Sequence, residues 1–375
     1  MYQGLRHRRV SWHEMIDREY RDAGLTGTHL RDAFTIGWPT DERTPVDEAI
    51  VAIRECNALL LALTIVPQIA ELGVFDALSD EPQRVEDLAA TVGANTDALR
   101  RVLRFLSSYG FFIADADGRF RHSALSQVLR ADHPQSQRAF LRLEAMPLRK
   151  SIVEAIGHTL RTGRAAVETV APDGLPGYLS EHAEEASLFG QVMTAKAQRQ
   201  IAAVLRAYDF SPFRSIADLG GGRGHLLRAV LDSVPEARGV LFDLPHVIST
   251  LSSLASERLS LEAGDFFKDP LPACDAYLLM NVIHDWSDEK AIAILAAVRR
   301  AIPDQGRVLL FEAELPSGPE HSLARYSDIA MLLCSSGGRE RTPAQYRRLL
   351  AAAGFQLRRI IPAIPTLSIF EAVPG

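Results

Sequence analysis

The stretch IADLGGGRG, residues 216–224, decides the fold of this chain. It begins as a short apolar run, and an acid and a cluster of glycines then lead into a helical pattern near residues 226–234. Glycines at a strand-to-helix turn let a ligand approach the backbone closely, because no side chain stands in the way. In an open parallel sheet, ligands lie beyond the carboxyl ends of the strands. The stretch therefore predicts the first strand and the ligand-binding turn of an α/β domain.

Short apolar runs alternate with helical patterns through the rest of the chain. The runs cover residues 216–219, 240–242, 259–261, 276–282 and 308–313, and two final runs cover 357–361 and 366–372. This alternation is typical of a parallel sheet with helices on both faces. Only a short loop separates the last two runs, so they are interpreted as antiparallel edge strands. We expect a Rossmann-like α/β domain over residues 191–375.

The first half of the chain is predicted to be helical. Residues 1–45 are expected to form an N-terminal arm, and residues 46–190 a helical domain. Within that domain, three short helices precede a hairpin whose turn is Asp117-Gly118, and this order indicates a winged helix. The three helices are expected at residues 72–78, 84–92 and 96–109.

A long apolar helix is predicted to begin at Val46. It is apolar nearly all round, and such a helix is buried, often against a partner. It forms either a dimer interface or an internal core helix. Its most apolar segment, residues 58–67, has about half of the ~20 residues that a membrane-spanning helix needs. We therefore expect no membrane association.

Composition and charge argue against several classes of protein. The chain has 375 residues, of which 47% are hydrophobic, so two domains are expected. A formal net charge of -6 argues against a dedicated nucleic-acid binder. Three scattered cysteines without CxxC spacing argue against a disulfide framework or a zinc site. The N-terminus lacks the apolar stretch of a signal peptide, so we expect a cytoplasmic protein.

Acids follow three successive strands of the predicted sheet. Asp218 precedes the glycine turn, and an acid there suits a ligand with an ammonium group. Asp243 closes the second strand and can accept hydrogen bonds from a ribose diol. Asp265 follows the third strand and can bond an adenine amino group, while Phe266 packs on the ring. An adenosine linked to an amino acid satisfies all three, and S-adenosylmethionine is that molecule.

A histidine follows the fourth strand. The run NVIHDW, residues 281–286, places His284 at the carboxyl end of that strand, on the side of the predicted ligand. An unperturbed imidazole has a pKa of ~6.5, which suits proton removal near neutral pH. His284 is therefore a candidate general base.

Five stretches in order resemble the caffeic-acid-type O-methyltransferase family. They are residues 218–224, 242–245, 264–267, 284–286 and 337–342, and the resemblance extends over residues 50–375. It implies a class I methyltransferase domain preceded by a winged-helix dimerisation domain, and a homodimer. It also implies S-adenosylmethionine as the cofactor and, as the acceptor, a hydroxyl group of a small, aromatic, natural-product-like molecule.

The resemblance also implies roles for individual residues. His284 would deprotonate the acceptor, Glu312 would orient its imidazole, and Glu340 would flank the other side, with Asp285 beside the acceptor. The acceptor pocket would be lined by Phe189, Met193, Met331 and Leu332. The cofactor would be held by Asp218, Gly220, Gly222, Gly224, Asp243, Leu244, Asp265 and Phe266, and by the backbone of Met280. No metal-ligand cluster is visible in the sequence, so we predict a metal-free mechanism.

Other hypotheses remain open at this point. The same fold could support hydroxylation, decarboxylation or ring closure without methyl transfer, or methylation of a carbon or nitrogen atom. A winged helix could also bind DNA through an arginine-rich helix, which carries Arg100, Arg101 and Arg104.

Overall fold

The computed structural model describes residues 46–375, except for the side chain of Glu48. The predicted arm at residues 1–45 lies outside this part of the chain. The chain divides into two compact units after Ala145. The domain border expected at residue 190 lies within a continuous helix, Ala183–Ala207, so the compact units do not divide there. That border stays a prediction.

The first unit has the helix order and hairpin of a winged helix. Its core contains Leu99, Leu103 and Leu106, which lie on one face of the third of the three predicted helices. Asn95 begins that helix by accepting a hydrogen bond of 3.0 Å from the amide of Ala98. The elements of this unit are α1 (Val46–Glu71), α2 (Val74–Ala77), α3 (Val85–Val92), α4 (Thr96–Ser108), β1 (Phe112–Ala114), β2 (Phe120–His122), α5 (Ala124–Gln127) and α6 (Arg138–Glu144).

Helix α1 is apolar well beyond residues 58–67, its most apolar segment. Ala62 and Val66 are fully buried, whereas Leu60 and Leu61 are 62% and 51% exposed. Over Ala49–Glu71, α1 is long and apolar enough to cross a membrane by length and composition, and 17% of that window is buried. The estimate from residues 58–67 was wrong because the apolar character continues on both sides. One face of α1 therefore packs in the core and the other stays uncovered in a single chain.

The second unit contains the α/β domain and the helices that lead into it. These leading helices are α7 (Pro147–Glu154), α8 (Ile156–Thr162), α9 (Val167–Val170), α10 (Gly174–Glu181) and α11 (Ala183–Ala207). The domain then runs β3 (Ser215–Leu219), α12 (His225–Ser233), β4 (Arg238–Asp243), α13 (Pro245–Ile248), β5 (Leu259–Ala263), β6 (Ala276–Met280), α14 (Asp288–Ala301), β7 (Arg307–Glu312), α15 (Leu323–Cys334), α16 (Pro343–Ala352), β8 (Phe355–Ile364) and β9 (Leu367–Pro374). Single 3-10 turns occupy Ser252–Leu254 and Ile283–Asp285.

The seven strands of the second unit form one sheet in the order β5-β4-β3-β6-β7-β9-β8. The first five are parallel, and β9 pairs antiparallel with both β7 and β8. This confirms the predicted class of fold. Of the last two strands only β8 lies at an edge, because β9 lies between β7 and β8, and β5 forms the opposite edge. The strand order reverses between β3 and β6, and ligands of doubly wound sheets bind beyond the strand ends at such a point.

Apolar layers cover both faces of this sheet. On one face α14 and α16 contribute residues such as Ile294 and Leu350, and on the other α11 and α12 contribute Val204 and Val230. The carboxyl ends of β3, β4, β6 and β7 are thus held on a rigid support. Functional side chains placed there have fixed positions.

Candidate active site

The glycine turn after β3 is closed by Asp243. Gly220 and Gly222 have φ angles of 66° and 56°, in the left-handed region that favours glycine. The amide of Gly222 donates to Oδ2 of Asp243 at 2.8 Å, and the amide of Leu244 donates to Oδ1 at 2.7 Å. Gly224, with a φ of 68°, begins α12. Asp243 therefore holds the ends of β3 and β4 together and remains half-buried at the edge of the sheet.

Asp218 lies beneath the turn instead of facing a ligand. Its side chain is buried, with a residue exposure of 1%. A Cβ on Gly221 would lie 2.5 Å from Oδ2 of Asp218, so the turn backbone covers the carboxyl group. Burial raises the pKa of Asp218 to about 7. This burial argues against the expected contact with an ammonium group, because the strand directs the side chain into the interior.

The third acid and the aromatic residue after it lie where the sequence predicted. Asp265 follows β5, accepts a hydrogen bond from the amide of Phe267 at 2.9 Å, and pairs with Lys268 at 2.8 Å. The ring of Phe266 packs edge-on against Trp286, with 6.0 Å between centroids. These side chains form a half-buried wall beside the glycine turn, since a Cβ on Gly220 would come within 3.9 Å of Phe266.

The end of β6 is fixed by a pair of amide side chains. Met280 is the last residue of β6, and Asn281 after it has a φ of 53°, unusual for a residue other than glycine. The Asn281 side chain donates to Oε1 of Gln200 on α11 at 2.9 Å. Gln200 is buried and was missed by the sequence analysis, although it continues the helix face of Phe189 and Met193.

His284 is buried between two carboxyl groups. Its Nδ1 lies 3.0 Å from Oε1 of Glu340, within hydrogen-bonding distance, and 3.7 Å from Oε2 of Glu312. Oε1 of Glu312 instead accepts the amides of Val282 at 3.2 Å and Ile283 at 2.8 Å. Both glutamates therefore face Nδ1, and only Glu340 lies within hydrogen-bonding distance of it. Glu340 orients the imidazole, and Glu312 holds the backbone before it.

The two glutamates make His284 more basic. Burial alone would lower its pKa, but the negative charges of Glu312, Glu340 and Asp285 outweigh it and raise the pKa of His284 to about 9. Burial likewise raises the pKa of Glu312 to about 7, although His284 opposes this shift. On the other side of the ring, Nε2 lies 3.6 Å from Oδ1 of the exposed Asp285. The ring nitrogen directed toward the open side is therefore Nε2.

The same three buried residues have the composition of a metal site. One ligand atom each from His284, Glu312 and Glu340 lies within 4.8 Å of the others. The cluster is not visible in the sequence, because these residues lie on separate elements and come together only in the fold. Oε2 of Glu312 and Oε2 of Glu340 are buried without hydrogen-bond partners.

Helix α15 supports Glu340 through two residues that the sequence analysis missed. The hydroxyl of Ser327 donates to Oε1 of Glu340 at 2.6 Å, and Oδ1 of Asp328 accepts the amide of Glu340 at 2.9 Å. Met331 and Leu332 follow one turn later on the same helix. Met331 is half-buried, and Leu332 is 37% exposed. The helix that positions Glu340 therefore also carries two of the predicted acceptor-pocket residues.

Arg341 organises the turn that carries His284. It is fully buried, and its guanidinium donates to the carbonyl of Ile283 at 3.0 Å and that of Trp286 at 2.7 Å. It also pairs with Asp288 at 2.8 Å. No role was predicted for Arg341, although it lies within residues 337–342, one of the five stretches that resemble the family. A single rigid fork thus fixes both ends of the turn.

Helix α11 carries the remaining predicted acceptor residues on the face that Gln200 anchors to the end of β6. Phe189 is half-buried and Met193 is 37% exposed. Both share a helix face with Gln200, which is anchored to Asn281. The predicted residues are thus distributed over the turn after β3, the ends of β4 to β7, α11 and α15.

Two family descriptions match the chain. An O-methyltransferase domain matches residues 159–356, and an O-methyltransferase dimerisation domain matches residues 63–132. Phenazine O-methyltransferase PhzM of Lysobacter antibioticus is 37% identical over 310 residues, which cover 81% of this chain and 90% of that protein. The 8-amino-8-demethylriboflavin N,N-dimethyltransferase of Streptomyces davaonensis is 32% identical, covering 89% of this chain and 98% of that protein.

Solved structures agree with these matches. The SAH-bound form of CalO1, a methyltransferase in calicheamicin biosynthesis, superposes with a TM-score of 0.79 at 31% identity. The match covers 88% of this chain and 99% of CalO1.

Replacing Arg341 by Lys should destabilise the second unit. The ammonium keeps the charge but cannot bond the two carbonyls and Asp288 in one plane, so we expect a loss of about 2 kcal/mol in the free energy of unfolding. Urea unfolding measures this loss. Arg339→Lys, a change at the exposed neighbour two residues earlier, is the control and should stay within ~0.5 kcal/mol. Equal stability of both variants would show that Arg341 does not hold the turn.

Proposed function

Because the chain belongs to the S-adenosylmethionine-dependent O-methyltransferase family, we propose that His284 is the base that removes the proton from the acceptor hydroxyl. The enzyme methylates a small natural-product-like molecule and uses S-adenosylmethionine as its cofactor. We further propose that the acceptor carries an aromatic ring. The observation that carries the role of His284 is its buried bond to Glu340, which leaves Nε2 directed toward the open side.

The residues at the sheet edge fit the cofactor. Both oxygens of Asp243 accept backbone amides, yet each keeps a lone pair for a ribose diol. Phe266 offers a ring face beside the glycine turn, and Asp265 and the Met280 backbone complete the edge. S-adenosylmethionine supplies an activated methyl group on a positively charged sulfur. In this proposal Asp218 stabilises the turn from below and does not contact the cofactor.

Glu340 sets the protonation state that His284 needs. A carboxylate at Nδ1 keeps the proton on that nitrogen, so Nε2 is free to accept one from the acceptor. A phenol has a pKa of ~10, and a positioned base contributes ~10²–10⁴-fold to such a reaction. The charges of Glu340 and Glu312 then stabilise the imidazolium that forms. Asp285 lies next to Nε2, on the side proposed for the acceptor.

Methylation of nitrogen is the second candidate. One relative that covers most of the chain is an N,N-dimethyltransferase, so the same fold and length accommodate an amine acceptor. A base at His284 is less necessary for an amine that is already neutral. If the enzyme formed a product but no S-adenosylhomocysteine, a reaction without methyl transfer, such as hydroxylation, decarboxylation or ring closure, would be favoured instead.

Dimerisation is supported by the match of the dimerisation domain and by the uncovered apolar face of α1. We propose that a second copy of the chain covers this face, rather than a membrane. We propose no nucleic-acid partner. Arg100, one of the three arginines considered for DNA, forms an ion pair of 2.6 Å with Glu86. Cytoplasmic location stays a prediction.

His284→Ala should abolish turnover and leave cofactor binding nearly unchanged. Loss of the base predicts a decrease of ~10²–10⁴-fold in the rate of S-adenosylhomocysteine formation. Calorimetry should give a dissociation constant for S-adenosylmethionine within ~3-fold of the native value. His133→Ala, in the other compact unit, is the control. Unchanged turnover in His284→Ala would remove this residue from the mechanism.

The rate should fall as the pH drops below about 9. Only neutral His284 accepts a proton, and neighbouring charges raise its pKa to about 9, so kcat/KM should decrease below that value. Glu340→Gln removes one of these charges, lowers the pKa of His284, and should move the acidic limb to lower pH. Glu289→Gln, at an exposed position on α14, should leave the profile in place. A limb that does not move in Glu340→Gln would contradict this assignment.

The cluster of His284, Glu312 and Glu340 is proposed to act without a metal ion. Oε1 of Glu340 is already engaged by two hydrogen bonds, one with Nδ1 of His284 and one from the hydroxyl of Ser327. Dialysis against EDTA should therefore leave the rate of S-adenosylhomocysteine formation unchanged. A loss of rate that Zn²⁺, Mn²⁺ or Mg²⁺ restores would overturn the proposal.

A further inference from the structure

Lys196 lies on the face of α11 that carries the predicted acceptor residues. It follows Met193 by three residues and precedes Gln200 by four, so all three side chains project on one side of the helix. The bond from Asn281 to Gln200 fixes this side against the end of β6, three residues before His284. The stem of Lys196 therefore begins at a fixed place beside the site.

The ammonium of Lys196 is exposed and, among residues 46–375, forms no ion pair. Its charge nevertheless acts on two acids of the site. It lowers the pKa of Asp285 against the larger effect of burial. Burial would also raise the pKa of Glu340, but His284, Ser327 and, last, Lys196 hold it below its usual value. Lys196 is thus a cation near the reacting side of His284 whose own hydrogen-bonding capacity is unused.

The charged groups within 4 Å of the ring nitrogens of His284 are carboxylates, whereas the buried guanidinium of Arg341 bonds the backbone of the turn. Glu312 and Glu340 are buried against Nδ1, and Asp285 stands beside Nε2. An anionic acceptor approaching this side would be repelled, because charges near a buried site are poorly screened. A cation on the acceptor side would offset that repulsion and give an anionic group a partner.

The same face of α11 also carries apolar side chains next to the charge of Lys196. Phe189 and Met193 precede Lys196 on the same face, and Met193 lies about 4.5 Å before it along the axis. An apolar ring surface followed by an ammonium group matches an aromatic ring that carries an acidic substituent. A neutral acceptor would leave the ammonium without a ligand partner.

We propose that Lys196 pairs with a carboxylate group on the acceptor, so that the enzyme selects hydroxylated aromatic acids. This inference rests on the proposed function, because it assumes that the acceptor lies between α11 and Nε2 of His284. Lys196 is a specificity-determining residue in this proposal, and proton removal remains with His284.

Matched pairs of ligands test the proposal without requiring turnover. Salicylate is compared with salicylamide, and 1-hydroxy-2-naphthoate with 1-hydroxy-2-naphthamide, by calorimetry in the presence of saturating S-adenosylhomocysteine. The members of each pair have nearly the same shape and differ in charge. The native protein should bind the acids about 10-fold more tightly than the amides, as one charge-assisted hydrogen bond predicts.

Variants then assign this preference to one side chain. Lys196→Met should reduce the ratio between acid and amide to below about 3-fold, whereas Lys196→Arg should retain it. Arg199→Met removes a charge from an exposed position one turn away on the same helix and should leave the ratio unchanged. A lysine that only balances Asp285 would weaken acids and amides equally in Lys196→Met.

Three results would overturn the proposal: no preference for acids in the native protein, no measurable binding of any acid, or a preference that persists in Lys196→Met. Its failure is distinguishable from failure of the proposed base. His284→Ala should keep the preference for acids while losing turnover. A native turnover rate in His284→Ala together with a Lys196-dependent preference would remove the base and leave this inference standing.

Discussion

The bond between His284 and Glu340 is the interaction on which the site depends. An imidazole placed at a strand end could turn either nitrogen outward, and the buried carboxylate at Nδ1 selects Nε2. The surrounding side chains hold the imidazole in this orientation. Ser327 and Asp328 fix Glu340 from α15, while Arg341 fixes the turn from the following segment. The imidazole consequently needs no rearrangement when a substrate arrives.

Two carboxyl groups against one imidazole carry an energetic cost. Burial of an ionised carboxylate is unfavourable unless it is paired and hydrogen-bonded, and Oε2 of each glutamate has no hydrogen-bond partner. Glu312 recovers part of that cost by accepting two backbone amides. The site therefore gives up stability for a more basic nitrogen, which is common where residues are arranged for proton transfer.

The sequence could predict features that lie next to each other along the chain. The glycine turn, Asp243 and His284 each follow an apolar run directly, so the edge of the sheet was predictable from spacing. The different contacts of Glu312 and Glu340 were not predictable, because they depend on which side chain reaches Nδ1 from the end of β7 or from the segment between α15 and α16. The burial of Asp218 was unpredictable for a related reason, since strand register decides whether a side chain faces inward. Gln200 and Arg341 act through contacts distant in sequence.

The position of Asp243 has a consequence for how its role can be measured. Its two oxygens join Gly222 to Leu244, so the turn is held by the same carboxylate that we assign to the ribose. Removing it would let the turn relax as well as delete a contact. An affinity measured for such a variant would thus combine a folding penalty with a recognition penalty, and the two separate only when the stability of the ligand-free protein is measured alongside.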